Sequence, residues 1–185
     1  MRRILLLALA ICLPVTVQTQ AQTRPASAVE GQERVYRLGS GDKVRVTVYG
    51  EPDLSGEFAV DGTGSVSIPL IGEVSAQGLT VADFRAAVEN KFKDGYLLNP
   101  RVSAEVTNYR PYYIMGEVGK AGEYPYVDGL SVVNAIARAE GFTYRAQQKR
   151  IFIKSYGSEQ ETEVMLSPEL RVYPGDTIRI AERHF

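Results

Sequence analysis

The same turn-and-strand pattern occurs twice in this chain, once ending at Asp42 and once at Asp176. Each copy is a Gly-Asp pair followed by apolar residues at every second position, Val44, Val46 and Val48 in the first and Ile178 and Ile180 in the second. Such alternation predicts a strand with one face in a core. A chain of 185 residues has room for one ordinary domain or two small ones, and the repetition favours two.

Each half of the chain also contains a similar helix start. Gly78-Leu79-Thr80-Val81 and Gly129-Leu130-Ser131-Val132 both place a hydroxyl residue where a helix N-cap is preferred. In the first helix the apolar stripe predicted to face the core is Val81, Phe84, Val88 and Phe92. In the second helix the residues predicted to face the core are Val133, Ile136, Ala137 and Ala139, and Gly141 ends the helix.

Short extended segments fill the rest of both halves. The predicted strands are 43–48, 65–68, 73–76, 101–107, 112–118, 150–154, 163–166 and 177–181. Strands mixed with one helix per half predict an α+β fold, in which each unit is a small mixed sheet with a helix packed on it. We place the first unit at residues 35–108 and the second at 109–185.

The first residues have the pattern of a secretory signal peptide. Arg2 and Arg3 precede an apolar run, 4–15, that is shorter than the roughly 20 residues of a membrane-spanning helix. Small residues predict cleavage after Ala21, so residues 1–21 are interpreted as the signal and 22–34 as a flexible leader. Bulky Ile11 precedes Cys12, so we interpret Cys12 as part of the apolar run and not as a lipidation site.

Composition argues against most catalytic chemistry. With 21 basic and 22 acidic residues, the chain has no general attraction to nucleic acid. A single Cys and a single His provide neither a disulfide nor a His-based metal cluster, and His184 lies in the C-terminal tail. The glycines of 39–41 and 116–121 lack the spacing of a phosphate-binding loop and are interpreted as turns. We therefore predict no catalytic residue, no cofactor and no metal.

Tyrosine is the one skewed residue type, with 11 copies and no Trp. Several tyrosines crowd the start of the second unit, where Tyr109, Arg110 and Tyr112 are candidate contacts for a sugar or for the wall of a passage. The alternative is that these tyrosines alternate in strands with their hydroxyls in water, as β-propensity alone favours.

The motifs, taken in order, resemble those of the bacterial outer-membrane polysaccharide export family. The export-domain motifs are Tyr36-Arg37-Leu38-Gly39-Ser40-Gly41-Asp42, Glu51-Pro52-Asp53-Leu54-Ser55-Gly56, Ile68-Pro69-Leu70-Ile71-Gly72 and Asn99-Pro100-Arg101-Val102. The second half is similar to the SLBB module of that family, through Gly116-Glu117-Val118, Gly122-Glu123-Tyr124-Pro125 and Tyr173-Pro174-Gly175-Asp176. The resemblance implies an α/β-sandwich export domain followed by a β-grasp SLBB domain.

The resemblance also implies a function without catalysis. Members of this family form periplasmic homo-oligomeric rings that conduct capsule or exopolysaccharide towards the outer membrane. The implied partners are the exported polysaccharide and an inner-membrane polysaccharide co-polymerase with its tyrosine autokinase. The implied location is the periplasm, at the inner face of the outer membrane.

Longer family members carry a C-terminal helix that crosses the outer membrane. Only residues 181–185 follow Ile180, which at about 1.5 Å per residue cover a small part of roughly 30 Å of hydrocarbon. We therefore expect a separate outer-membrane β-barrel porin as partner. Two other functions remain open: a monomeric periplasmic sugar-binding module, and a polysaccharide-modifying enzyme.

Overall fold

The apolar alternation after Asp42 forms the central strand of a sheet. The computed structural model describes residues 34–183, and its elements carry the following bounds: β1 Lys43–Val48, a 3-10 turn Pro52–Leu54, β2 Gly56–Ala59, β3 Ser65–Ile68, β4 Gly72–Ser75, α1 Val81–Lys93, β5 Val102–Asn108, β6 Tyr112–Gly116, β7 Gly122–Tyr124, α2 Val132–Arg138, β8 Arg150–Lys154, β9 Glu161–Met165 and β10 Thr177–Ile180. The signal peptide, residues 22–33 of the predicted leader, Cys12 and His184 lie outside the described residues.

The first half contains two small antiparallel sheets around one core. In the order β2-β1-β5, strand β1 pairs with a neighbour on each side, while β3 and β4 form a separate hairpin. The valines of β1 are buried and the residues between them are exposed, as the alternation predicts. Helix α1 contributes Phe84, Val88 and Phe92 to the same core, each with no exposed surface.

Helix α1 begins where its sequence predicts. The hydroxyl oxygen of Thr80 accepts a hydrogen bond from the backbone N–H of Asp83 at 3.1 Å, and the hydroxyl donates to the Asp83 carboxylate at 2.7 Å. These bonds satisfy one of the N–H groups that a helix leaves unpaired at its start. The cap and the buried stripe together fix both the start and the rotation of α1.

The second half contains one five-stranded sheet in the order β7-β6-β10-β8-β9. Strand β10 lies at its centre, parallel to β6 and antiparallel to β8. The last of the described strands therefore joins the two pairs β7-β6 and β8-β9 into one sheet. A second core, separate from the first, forms between this sheet and α2. A mixed sheet with one helix is compatible with a β-grasp module, and the SLBB assignment stays a prediction.

Two of the four residues predicted to form the buried face of α2 are exposed. Val132, Ala135, Ile136 and Ala139 are buried, whereas Val133 is 42% exposed and Ala137 is exposed. The backbone N–H of Val132 donates to the carbonyl of Leu170 at 2.8 Å, and the N–H of Val172 donates to Leu130 at 2.9 Å. This pairing at the helix start turns Val132 inward, so the prediction for Val133 and Ala137 was wrong.

The predicted α+β class is confirmed, and all eight predicted strands are present with shifts of up to two residues at some ends. Strands β2 and β7 were missed, because Gly56-Glu57-Phe58-Ala59 and Gly122-Glu123-Tyr124 are short and carry few apolar residues. Each core lies within one predicted unit, and the boundary between 108 and 109 stays a proposal. Within residues 34–183, no helix combines the length and apolar character of a membrane span.

The rotation of α2 is testable with two adjacent valines. Val132→Ala removes two buried methyl groups and leaves a cavity, so we expect the free energy of unfolding in urea to fall by about 2 kcal/mol. Val133→Ala, on the exposed face, is expected to change it by less than about 0.5 kcal/mol. A larger loss for Val133→Ala than for Val132→Ala would contradict this buried face and support the one predicted from the sequence.

Candidate functional site

A cavity of about 460 Å³ lies where residues 34–36, Tyr109, Tyr126, 128–129 and 171–174 meet. Its walls therefore come from the segment before the first core, the start of the second half and the loops beside α2 and β10. The volume is within the roughly 300–1,000 Å³ of pockets that bind small ligands. Of the three residues predicted to contact sugar, Tyr109 lines this cavity.

Three tyrosines form one continuous aromatic wall. The ring centroid of Tyr109 lies 5.0 Å from that of Tyr36 and 5.3 Å from that of Tyr126, with interplanar angles of 83° and 75°. Such edge-to-face contacts are favourable beyond the area they bury. Because neighbouring rings are nearly perpendicular, each pair brings the edge of one ring against the face of the other.

Burial extends to higher pH the range in which the hydroxyls of this wall stay protonated. It raises the pKa of Tyr109, and it raises the pKa of Tyr126 to about 12, with the nearby Asp128 carboxylate adding to both. Burial and then the hydrogen bond to Asp42 raise the pKa of Tyr36. All three side chains are therefore neutral hydrogen-bonding groups at neutral pH.

Two arginines contribute positive charge to the same cavity. Arg34 donates from Nη1 to the Ser155 hydroxyl at 2.7 Å, and Arg171 donates from Nη1 to the Gly129 carbonyl at 2.6 Å. Neither guanidinium forms an ion pair with a carboxylate of residues 34–183. Asp128 is the single acidic residue of the lining.

A buried ion pair lies directly behind Tyr36. The Asp42 side chain has no exposed surface, and the Arg110 side chain is 9% exposed. Arg110 Nη1 donates to Asp42 Oδ2 at 2.8 Å, and the backbone N–H of Arg110 donates to Oδ1 at 2.9 Å. Oδ2 also accepts from the Gly39 N–H at 2.8 Å and from the Tyr36 hydroxyl at 2.5 Å. Both carboxylate oxygens are thus fully engaged, as a buried charge requires.

The Arg110 side chain also contacts residues of the second half of the chain. Its Nε donates to the Pro174 carbonyl at 3.1 Å, and its guanidinium carbon lies 3.9 Å from the ring centroid of Tyr156. A cation over an aromatic face is stabilised by the ring quadrupole, the more so away from water. The structure therefore places Arg110 in the interior, as the connection between the two halves and outside the cavity lining.

Tyr112 is also interior. Its side chain is completely buried in the second core, where its ring stacks on Tyr124 at 5.8 Å with an interplanar angle of 25°. Burial is the largest cause of its raised pKa. Of the predicted contacts, the structure brings Tyr109 and Arg110 to the same junction and separates Tyr112 from them. A sugar contact by any of the three stays a prediction, and the cavity supports it for Tyr109.

The sequence reasoning missed the other residues of the cavity. Tyr126 lies in the same tyrosine-rich start of the second unit as Tyr109, but Tyr36 lies 90 residues before Tyr126, and no local pattern links the two. Arg34 and Arg171 look like ordinary surface charges in the sequence. The signal that existed was the repeated Gly-Asp turn, since Tyr36 and Tyr173 each precede one of its copies. Within the described residues, no three His, Cys, Asp or Glu side chains are grouped to hold a metal ion.

Residues 30–107 match the family model for polysaccharide biosynthesis/export proteins. The chain is 33% identical over 150 residues to the exopolysaccharide production protein ExoF of Rhizobium meliloti (strain 1021), which covers 74% of this chain and 35% of the relative. It is 30% identical over 118 residues to the polysialic acid transport protein KpsD of Escherichia coli, covering 63% of this chain and 21% of that relative. The chain thus spans about a third of the first relative and about a fifth of the second.

The buried ion pair is tested by removing one of its charges. Arg110→Met leaves the Asp42 carboxylate buried without its counter-ion, so we expect the free energy of unfolding to fall by about 3–5 kcal/mol. Arg45→Met is the matched control, because Arg45 pairs with Glu57 and Glu105 at the surface, where the loss is expected to stay below about 1 kcal/mol. Urea unfolding of both variants measures the difference, and equal losses would contradict the assigned role of Arg110.

Proposed function

The chain belongs to the polysaccharide biosynthesis/export family, and from that premise we propose that it is a ring-forming, non-catalytic component of a capsule or exopolysaccharide export complex. The observation that carries the proposal is the extent of the family match. Residues 30–107 include β1 to β4, α1 and all but the last residue of β5, and with them every buried residue of the first core. The match therefore covers a packed structural unit and not an isolated motif.

A conduit for a polymer requires an opening of the right size and no catalytic group. Copies of one chain form a closed ring when two different surfaces of the chain bind each other and the rotation between neighbours closes. The three-stranded sheet ends in β2 on one side and β5 on the other, and the five-stranded sheet ends in β7 and β9. Edge strands can pair with another chain, so these edges are candidate contacts between copies.

Large apolar side chains at the surface of the first half support association. They lie in loops outside the core: Tyr49, Leu70, Tyr96 and Leu98, of which Leu98 is 97% exposed. Leu70, at the tip of the β3–β4 hairpin, also has a positive φ of 73°, an unusual conformation for a branched side chain. Where such side chains form one contiguous patch, the patch is typical of a surface that another protein covers.

The location and partners are part of the proposal. We place the protein in the periplasm at the inner face of the outer membrane, where the ring would receive polymer from an inner-membrane co-polymerase with its tyrosine autokinase. An outer-membrane porin would complete the route. The names of the two relatives, exopolysaccharide production and polysialic acid transport, support a role in polymer handling.

A second candidate function is a monomeric periplasmic sugar-binding module. The cavity beside Tyr109 favours this function, because its volume is typical of pockets that bind a small ligand. The two candidates differ in what the cell loses with the protein. A conduit is required for export of the polymer, whereas a binding module is not.

The export role is tested by deleting the gene in its own host. We expect surface polysaccharide to disappear while polymer of the same composition accumulates inside the cell, because synthesis precedes export. The measurement is glycan staining of intact cells against quantified polymer in the periplasmic fraction.

Expression of the wild-type chain from a plasmid is the control and should restore surface polymer. Wild-type levels of surface polymer in the deletion strain would contradict the export role and leave the binding module as the better account.

A further inference from the structure

We infer that the cavity lined by Tyr36, Tyr109, Tyr126, Arg34, Arg171 and Asp128 binds an acidic sugar residue, one that carries a carboxylate. The inference deepens the proposed export function and rests on it for the identity of the ligand as a glycan. The residues of this site come from four separate stretches of the chain.

The aromatic wall suits the body of a sugar ring. A pyranose has apolar C–H faces and polar hydroxyl edges, so it packs on aromatic rings and bonds to groups around them. Tyr109 lies between Tyr36 and Tyr126 with both neighbours nearly perpendicular to it. Tyrosine combines a large apolar surface with a hydroxyl that can bond at its rim.

The arginines give the cavity its preference for negative charge. The lining contains two basic side chains and one acidic side chain, in a protein whose formal net charge is −1. Each of the two guanidiniums donates one hydrogen bond, from Nη1, and forms no ion pair with a carboxylate of residues 34–183. The Arg34 guanidinium also lies over the Tyr173 ring, with its carbon 5.3 Å from the ring centroid. Nε and Nη2 of both residues therefore remain available among the described contacts, in the planar arrangement that holds a carboxylate by two parallel bonds.

Asp128 orients the ligand within the same space. Its Oδ1 accepts a hydrogen bond from the Gly129 N–H at 3.0 Å, and it is otherwise unpaired with any described cation. A carboxylate accepts hydrogen bonds from sugar hydroxyls and repels a second carboxylate. The ligand's acidic group is thus directed to Arg34 and Arg171, and its hydroxyls to Asp128. A neutral sugar would leave the two guanidiniums without a charged partner.

The test is direct binding to the purified full chain. The acidic probes are tetragalacturonic acid, an α2,8-linked sialic acid tetramer and a hyaluronan tetrasaccharide, and the neutral probes are maltotetraose and chitotetraose. We expect at least one acidic probe to bind about tenfold or more tightly than both neutral ones in calorimetry, since a charge-assisted contact is involved. The difference should shrink as salt is added.

Variants identify the site. Arg171→Gln is expected to weaken the acidic probe about tenfold and to leave the neutral probes unchanged. Arg85→Gln, on the exposed face of α1 and outside the lining, is the matched control and should change neither. Equal binding of acidic and neutral probes, or an equal effect of the two substitutions, would overturn the inference.

The result is independent of the export test. Loss of export in the deletion strain together with no acidic preference would refute this site and leave the export role in place. An acidic preference together with unimpaired export would refute the export role and leave the site.

Discussion

The buried ion pair between Asp42 and Arg110 is the interaction on which the arrangement of the molecule depends. Asp42 ends the first Gly-Asp turn, and Arg110 follows the last strand of the first sheet. A carboxylate with no exposed surface requires a counter-ion and hydrogen-bond donors, and Asp42 finds them in Arg110, Gly39 and Tyr36. Arg110 also donates a hydrogen bond to the Pro174 carbonyl and packs on the Tyr156 ring. The side chain that neutralises Asp42 in the first half of the chain therefore also holds the second half against it.

The backbone around this pair is shaped to admit the guanidinium. A Cβ atom added to Gly39 would lie 2.7 Å from Arg110 Nη1, and one added to Gly175 would lie 2.8 Å from Arg110 Nε. Asp176, which follows Gly175, accepts hydrogen bonds from Tyr173 and Tyr156 and is itself buried. The two Gly-Asp turns, recognised in the sequence as strand signals, therefore meet at one junction, with the cavity beside it.

The sequence predicted those features that depend on neighbours along the chain. The alternation of β1, the cap at Thr80 and the buried stripe of α1 are local, and all are confirmed. The prediction of which face of α2 is buried was wrong because Val132 and Val133 both fit a helical stripe. The hydrogen bond from the Val132 N–H to the Leu170 carbonyl, between residues far apart in sequence, decides that Val132 is the buried one. The other residues of the cavity were not predicted for the same reason: Tyr36, Tyr126 and Arg171 come together only through the fold. Arg110 was predicted as a contact for a sugar or for the wall of a passage, and that role stays a prediction. Its partner Asp42 lies 68 residues away, so no local pattern could indicate the buried ion pair.

The proposed function combines a family assignment with an assembly, and the assembly is its central claim. The cavity of about 460 Å³ in the described residues has the size of a small-ligand pocket, so conduction of a polymer requires several copies around a shared opening. Sedimentation velocity of the purified full chain, at several concentrations, measures this directly. The proposed ring predicts one dominant species that contains more than two copies of the chain, with a mass that is a whole multiple of the chain mass. A single species at the monomer mass across that range would contradict it.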